Sequence, residues 1–139
     1  MNYKIIGKYI KDLEFSIPNT KTFFLLSQNI ANYKINIDIR SNQVKQNIIE
    51  VLTSLHLTST KTDNEKIITK IVYATLVELD NEKIEKNEME KIILVHVPSQ
   101  IYGELRQIFV SLFENSGFKD VKINVKVDFE KLYSMRRIQ

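Results

Sequence analysis

At 139 residues the chain has the length of one domain, enough to bury roughly two thirds of its extended surface without a disulfide or metal staple. It has no cysteine and two histidines, which excludes a disulfide framework and fits a reducing compartment. The net charge is +3, but the lysines alternate with Asp and Glu along nearly every segment, so no face is reserved for nucleic acid.

The first residues, MNYKIIGKYIKD, lack the apolar run of a signal peptide, and no segment approaches the ~18 apolar residues of a membrane span. A soluble, cytoplasmic protein without cofactor or metal is expected. In chain order, residues 3–16 read as a first strand with a bulge where alternation slips near Leu13, closed by Pro18-Asn19. Residues 20–31 read as a connection carrying an exposed apolar knot, Phe23-Phe24-Leu25-Leu26. Residues 33–39 alternate without a fault, Tyr33, Ile35, Ile37 and Ile39 on one side, which predicts a half-buried strand.

Residues 48–60 and 65–79 predict two longer strands joined by a hairpin turn at Asp63-Asn64. The last of these is apolar on both faces: Ile67, Ile71, Tyr73 and Val77 face one way, Ile68, Val72, Ala74 and Leu76 the other. Such a strand is covered on two sides, one by the chain's own helices and one by a partner, ligand or oligomer. After the polar run at residues 80–91 the period becomes helical. Pro98-Ser99 starts a helix with Ser99 as N-cap, Ile101, Leu105, Ile108, Phe109, Leu112 and Phe113 form its stripe, and Gly117 ends it. The segment VKINVKVDFEKLY alternates and then turns into a short terminal helix. The order predicts an α+β fold in a single domain spanning 1–139: a four-stranded antiparallel sheet followed by a long helix and short helices.

Chemistry-bearing constellations are missing. Gly7, Gly103 and Gly117 are too dispersed for a phosphate loop, and neither His56 nor His96 has a second ligand at metal spacing. No carboxylate pairs with a plausible catalytic partner. No enzyme is expected.

The stretch YIKDLEFSIPN at residues 9–19 resembles the start of the SecB family of protein-export chaperones, in which a similar Lys-Asp-led run ends the first strand. Glu50-Val51, Pro98 placed eight residues ahead of Arg106, and the tail GFKDVKINVKVDFEKLY match the family's later landmarks in order and spacing. The resemblance covers nearly the whole chain. It implies an ATP-independent, non-enzymatic chaperone, a homotetramer built as a dimer of dimers, that holds unfolded polypeptides in long apolar grooves and passes them to the translocase ATPase. By alignment the groove falls on Ile67, Thr69, Ile71 and Tyr73, with Phe23 and Phe24 on the neighbouring crossover. The face from Ile67 to Tyr73 can also be read as ordinary core under the helix, and Phe23 and Phe24 as anchors of the loop. If the face is open, Ile71→Asp leaves the fold intact. Tyr102, Arg106 and Phe109 are assigned by the resemblance to the contact between dimers.

Translocase docking in the family uses acids on the outer face of the sheet, which places Asp12, Ile68 and Lys70 there. Lys70 stands where an acid is expected, Ser16 where Glu is common, and the last residues, Arg136-Arg137-Ile138-Gln139, carry no acidic run. These departures predict client holding with altered or lost docking. Two further readings stay open: a SecB-like chaperone dedicated to one client, such as the antitoxin of a toxin–antitoxin pair, and a non-chaperone adaptor subunit using the fold.

Overall fold

A computed structural model describes residues 2–29, 33–59, 68–80, 84–118 and 126–138. Four strands, β1 (Tyr3–Ser16), β2 (Tyr33–Lys45), β3 (Ile48–Ser59) and β4 (Ile68–Leu79), form one antiparallel sheet in the order β1-β4-β3-β2. The α+β expectation is borne out. β2 runs six residues beyond the predicted end at residue 39 and turns into β3 through Gln46-Asn47, where Asn47 takes the left-handed conformation (φ 65°) that Asn tolerates. The hairpin expected at Asp63-Asn64 lies outside the described residues.

β1 ends at Ser16 as predicted, but its bulges fall at Ile6 and Lys11 rather than Leu13. Each extra residue reverses which side chains face the helices, so Tyr3, Ile5, Lys8, Ile10 and Phe15 can all lie on one side despite unequal spacing.

The connection expected at 20–31 is instead a helix, α1 (Thr20–Asn29). Pro18 stops the strand, and Asn19 then caps the helix: its Oδ1 accepts from Thr22 N–H at 2.8 Å while its carbonyl accepts from Phe23 N–H at 3.1 Å. α1 connects the edge strands β1 and β2 in sequence and buries Leu26 fully, in the core that also holds Leu55 and Leu57.

The long helix starts earlier than Pro98. α2 (Lys86–Lys91) runs through a π-helical turn (Ile92–His96) into α3 (Val97–Asn115), and α4 (Phe129–Ile138) follows. Ser99 is therefore inside the helix and no N-cap; its hydroxyl donates back to the Val95 carbonyl at 2.6 Å. Proline cannot donate to the carbonyl four residues earlier, and the widened turn directly before Pro98 is where the helical ladder gives way. Gly117 does end α3, at φ +96°. There Phe118 N–H donates to the Phe113 carbonyl and Gly117 N–H to Glu114, a complete Schellman motif. Among the described residues the helices cover one face of the sheet only. Ile71, Tyr73, Leu55 and Leu57 pack there with Ile101, Leu105, Phe109 and Phe113 of α3.

Candidate peptide-binding site

The covered face is closed over β4 and opens toward β2. Ile35, Ile37 and Ile39 alternate onto this face as predicted and stay half-buried: α3 lies over the central strands, and among the described residues the π-turn and α4 reach toward the edge. Asp128 caps α4, its Oδ1 accepting from Lys131 N–H at 3.0 Å. Phe129 is buried in an edge-to-face contact with Tyr102 of α3, ring centroids 5.9 Å apart. Tyr133 OH then donates to Glu90 of α2 at 2.9 Å. Two ties thus hold α4 across from β2 without closing the gap.

A hollow of about 530 Å³ lies between Ile39, Arg40 and Ser41 of β2, Glu90 and the π-turn residues Ile93 and Leu94, and Tyr133. A second, of about 180 Å³, shares Ile39, Leu94 and Tyr133 and extends the furrow over Ile37, Phe129 and Leu132. The apolar rail from Ile35 to Ser41 is roughly 20 Å long at about 3.3 Å per residue. Leu132 stands 45% exposed on the α4 lip. On the crossover leading into β2, Phe24 is 58% exposed, while Phe23 turns inward onto Phe118. The arrangement is elongated and open at the edge, apolar along Ile37, Ile39, Ile93, Leu94 and Leu132 and polar where Arg40, Ser41 and Glu90 line it; among the described residues β2 is an edge strand with unpaired backbone groups alongside.

The predicted groove residues divide. Ile67 lies outside the described residues. Thr69, Ile71 and Tyr73 are buried, which corrects the expectation of an open β4 face: α3 roofs it. Thr69 Oγ1 accepts from Leu57 N–H at 3.1 Å. Tyr73 OH donates to Glu104 of α3 at 2.6 Å, and Lys8 Nζ lies 2.7 Å from the same carboxylate. Burial, then Glu104 beside it, pushes the Tyr73 hydroxyl up to about 12. Burial raises the Glu104 carboxyl, but the Lys8 and Tyr73 hydrogen bonds outweigh it and hold it below its usual range.

Phe109, expected between dimers, is fully buried within the chain and belongs to its core, and Tyr102 is buried beside Phe129. Arg106 is half-buried on α3. The sequence reading placed Ile37 on a half-buried strand but not at a site, and did not single out the furrow residues Leu94, Leu132 and Tyr133. The only signal was the one-sided apolar alternation of residues 33–39, which does not say what leaves that side partly open.

On the other face, free of helices among the described residues, β1 and β4 bring Asp12 and Lys70 together: Asp12 opposes Val72, and Lys70 lies between Glu14 and His56. Only the backbone of Ile68 is described, opposite Ser16. This face carries both signs of charge, Asp12, Glu14, Asp38, Glu50 and Glu78 beside Lys4, Lys11, Arg40 and Lys70. Lys4 pairs with Glu78 at 3.2 Å, Lys11 with Glu50 at 2.9 Å and Arg40 with Asp38 at 3.0 Å. Lys11 reaches Glu50 because it is the bulged residue, and Tyr9 donates to the same carboxylate. Tyr9, then Lys11, lower the Glu50 carboxyl; burial opposes them and Asn42 adds to them. A depressed folded-state value stabilises fully above the ordinary 4.5 and is lost as pH falls through the lower folded value. The stability difference between wild type and Glu50→Gln in urea unfolding should therefore narrow as pH drops from 5 toward about 3; a constant difference contradicts this assignment.

Comparison with known proteins follows the same geometry. A family model described as preprotein translocase subunit SecB matches residues 1–139. The chain belongs to the SecB family. A putative protein-export protein SecB from Pelagibacter ubique is 43% identical over 135 residues, covering 97% of this chain and 96% of that protein. Protein-export protein SecB of Anaplasma marginale is 24% identical, covering 94% and 80%. Among solved structures, the SecB-like chaperone of Mycobacterium tuberculosis in complex with a ChAD peptide from the HigA1 antitoxin superposes with TM-score 0.67 at 11% identity, covering 91% of this chain and 88% of that one. The SecB-like fold and the reading as a protein-export chaperone stand together. No helix among the described residues is long and apolar enough to cross a membrane.

Proposed function

We propose that this SecB-family chaperone holds non-native polypeptides in the furrow between β2, the π-turn and α4, with Phe24 at its approach. The carrying observation is that the furrow leaves apolar side chains of β2, the π-turn and α4 open on the helix side, while β4 is roofed. An extended client burying about 400 Å² of apolar area gains roughly 10 kcal/mol gross at 25 cal/mol/Å². Ordering the client cancels most of this. One furrow then binds weakly and releases readily, and several furrows in one assembly hold a long chain by avidity.

The assembly we propose is a cytoplasmic homotetramer. β1 supports it: among the described residues the 14-residue strand is paired on one side only, and Ile10 and Leu13 are each 44% exposed on it. A long edge with exposed apolar groups is a template for a second strand. Transfer of clients to the Sec translocase ATPase belongs to the same reading. With Lys4, Lys11, Arg40 and Lys70 among its acids, the outer face offers a charged partner no single-sign field, so steering there is weak.

Two measurements on the purified chain test this: solution mass, and light scattering while several unrelated unfolded proteins refold. A mass near four times 16.3 kDa with suppressed aggregation is expected. A monomer that suppresses none contradicts the proposal.

A further inference from the structure

Six of the seven phenylalanines are joined by ring contacts that run from the exposed crossover into the core, where Phe109 meets Phe113 with centroids 5.3 Å apart. Phe24 meets Phe23 edge-on with centroids 5.8 Å apart, and Phe23 lies tilted on Phe118 at 4.8 Å. Phe118 meets Phe113 at 5.8 Å, and Phe113 meets Phe15 at 5.1 Å. The Phe23–Phe118 contact joins α1 to the corner that ends α3, and its position follows from the backbone.

The two Schellman hydrogen bonds fix residue 118 directly beyond the helix end, and the Phe118 ring folds back on Phe113, the partner that motif favours. Gly117 supplies the positive φ that the corner requires. A Cβ there would make only ordinary van der Waals contact with the Phe23 ring, at 3.5 Å, so the backbone conformation and not the space calls for glycine. Phe118 is buried, so its ring is held from both sides. Phe23 and Phe24 are adjacent on a helix and point about 100° apart, so fixing one ring fixes the direction of the other. α1 has no acidic residue in its first turn and no basic residue in its last to orient it by charge, and its apolar stripe is short.

We infer that Phe118, set by the Gly117 corner, is a positioning residue for client binding: its ring seats Phe23 and thereby presents Phe24 to the client. The inference rests on the proposed client site. Phe118 itself touches no client, and its contribution is the rotation of α1 about its axis. An aliphatic side chain of similar size fills the core but does not orient an aromatic partner, whereas a ring does both.

The test is client affinity of the folded chaperone, measured with a fluorescently labelled, reduced and unfolded lactalbumin well below the unfolding transition. Phe118→Leu should weaken binding about fivefold, and Phe118→Tyr should restore most of it. Phe23→Leu should weaken binding equally, and the double variant should be no worse than either single change, because both break one contact. The Phe23 series reads the same contact should Phe118→Leu not fold. Unchanged affinity in folded Phe118→Leu, or additive losses in the double variant, overturns the inference. Phe24→Ser separates the two levels: if it too leaves affinity unchanged, the client site is misplaced, whereas if it alone loses affinity only the role of Phe118 fails.

Discussion

Ile71→Asp unfolds the protein. Ile71 has no solvent exposure and sits on β4 beneath α3, in one core with Leu55, Ile101, Leu105 and Phe109. Aspartate there removes the packing of a buried isoleucine, worth about 2–5 kcal/mol, and adds a carboxylate with no partner, which must take up a proton or draw in water. The combined loss, at least about 4 kcal/mol, approaches the whole stability of an ordinary domain. Ile71→Val, which removes one methylene, should cost about 1 kcal/mol in urea unfolding and leave client holding intact. A folded Ile71→Asp chain that has lost only client holding would reinstate an open β4 face and contradict the packing described above.

The second large effect is functional and should leave stability alone. Leu132 on the α4 lip and Phe24 on the crossover are exposed, so Leu132→Glu and Phe24→Ser change unfolding by no more than about 0.5 kcal/mol. At the furrow the same changes remove apolar area from the contact, and Leu132→Glu also places a charge that the client must desolvate. A loss of about 1.5–3 kcal/mol is tenfold to a hundredfold in affinity. Titration with an unfolded client, alongside thermal unfolding, measures both quantities. Wild-type affinity in the double variant would place the client elsewhere.

Much of this architecture was legible from local signals. β1 could be bounded because proline cannot continue a ladder, and α3 could be ended because Gly117 takes a conformation that few residues adopt. The strands announced themselves by period. What escaped shares one cause, a residue with two meanings. Pro18-Asn19 read as a stop, yet Asn19 also caps α1. Pro98-Ser99 read as a helix start, yet the helix had already begun at Lys86, within a run too polar to show a stripe.

The site was less legible than the fold. An apolar face of β4 looks the same in sequence whether α3 covers it or a client does. Only the placement of α3 decides, and it depends on contacts such as Tyr73 with Glu104 that no spacing rule signals. Conversely, the partly open rail of Ile35, Ile37 and Ile39 is an ordinary half-buried strand by pattern, and becomes a furrow only because α4 stops short of it. Lys11 is a third case. Its pairing with Glu50 requires the bulge that turns it to the outer face, and the bulge lies two residues from where the slip in alternation put it.

The central claim is that clients lie along β2 and not along β4 or the outer face. Photo-crosslinking tests it most directly, with a benzophenone amino acid placed singly at Leu132, at Phe24 and, on the helix-free face, at Leu52. With an unfolded client bound, adducts should form from positions 132 and 24 and be absent from 52. Adducts from position 52 with none from 132 or 24 would contradict the account.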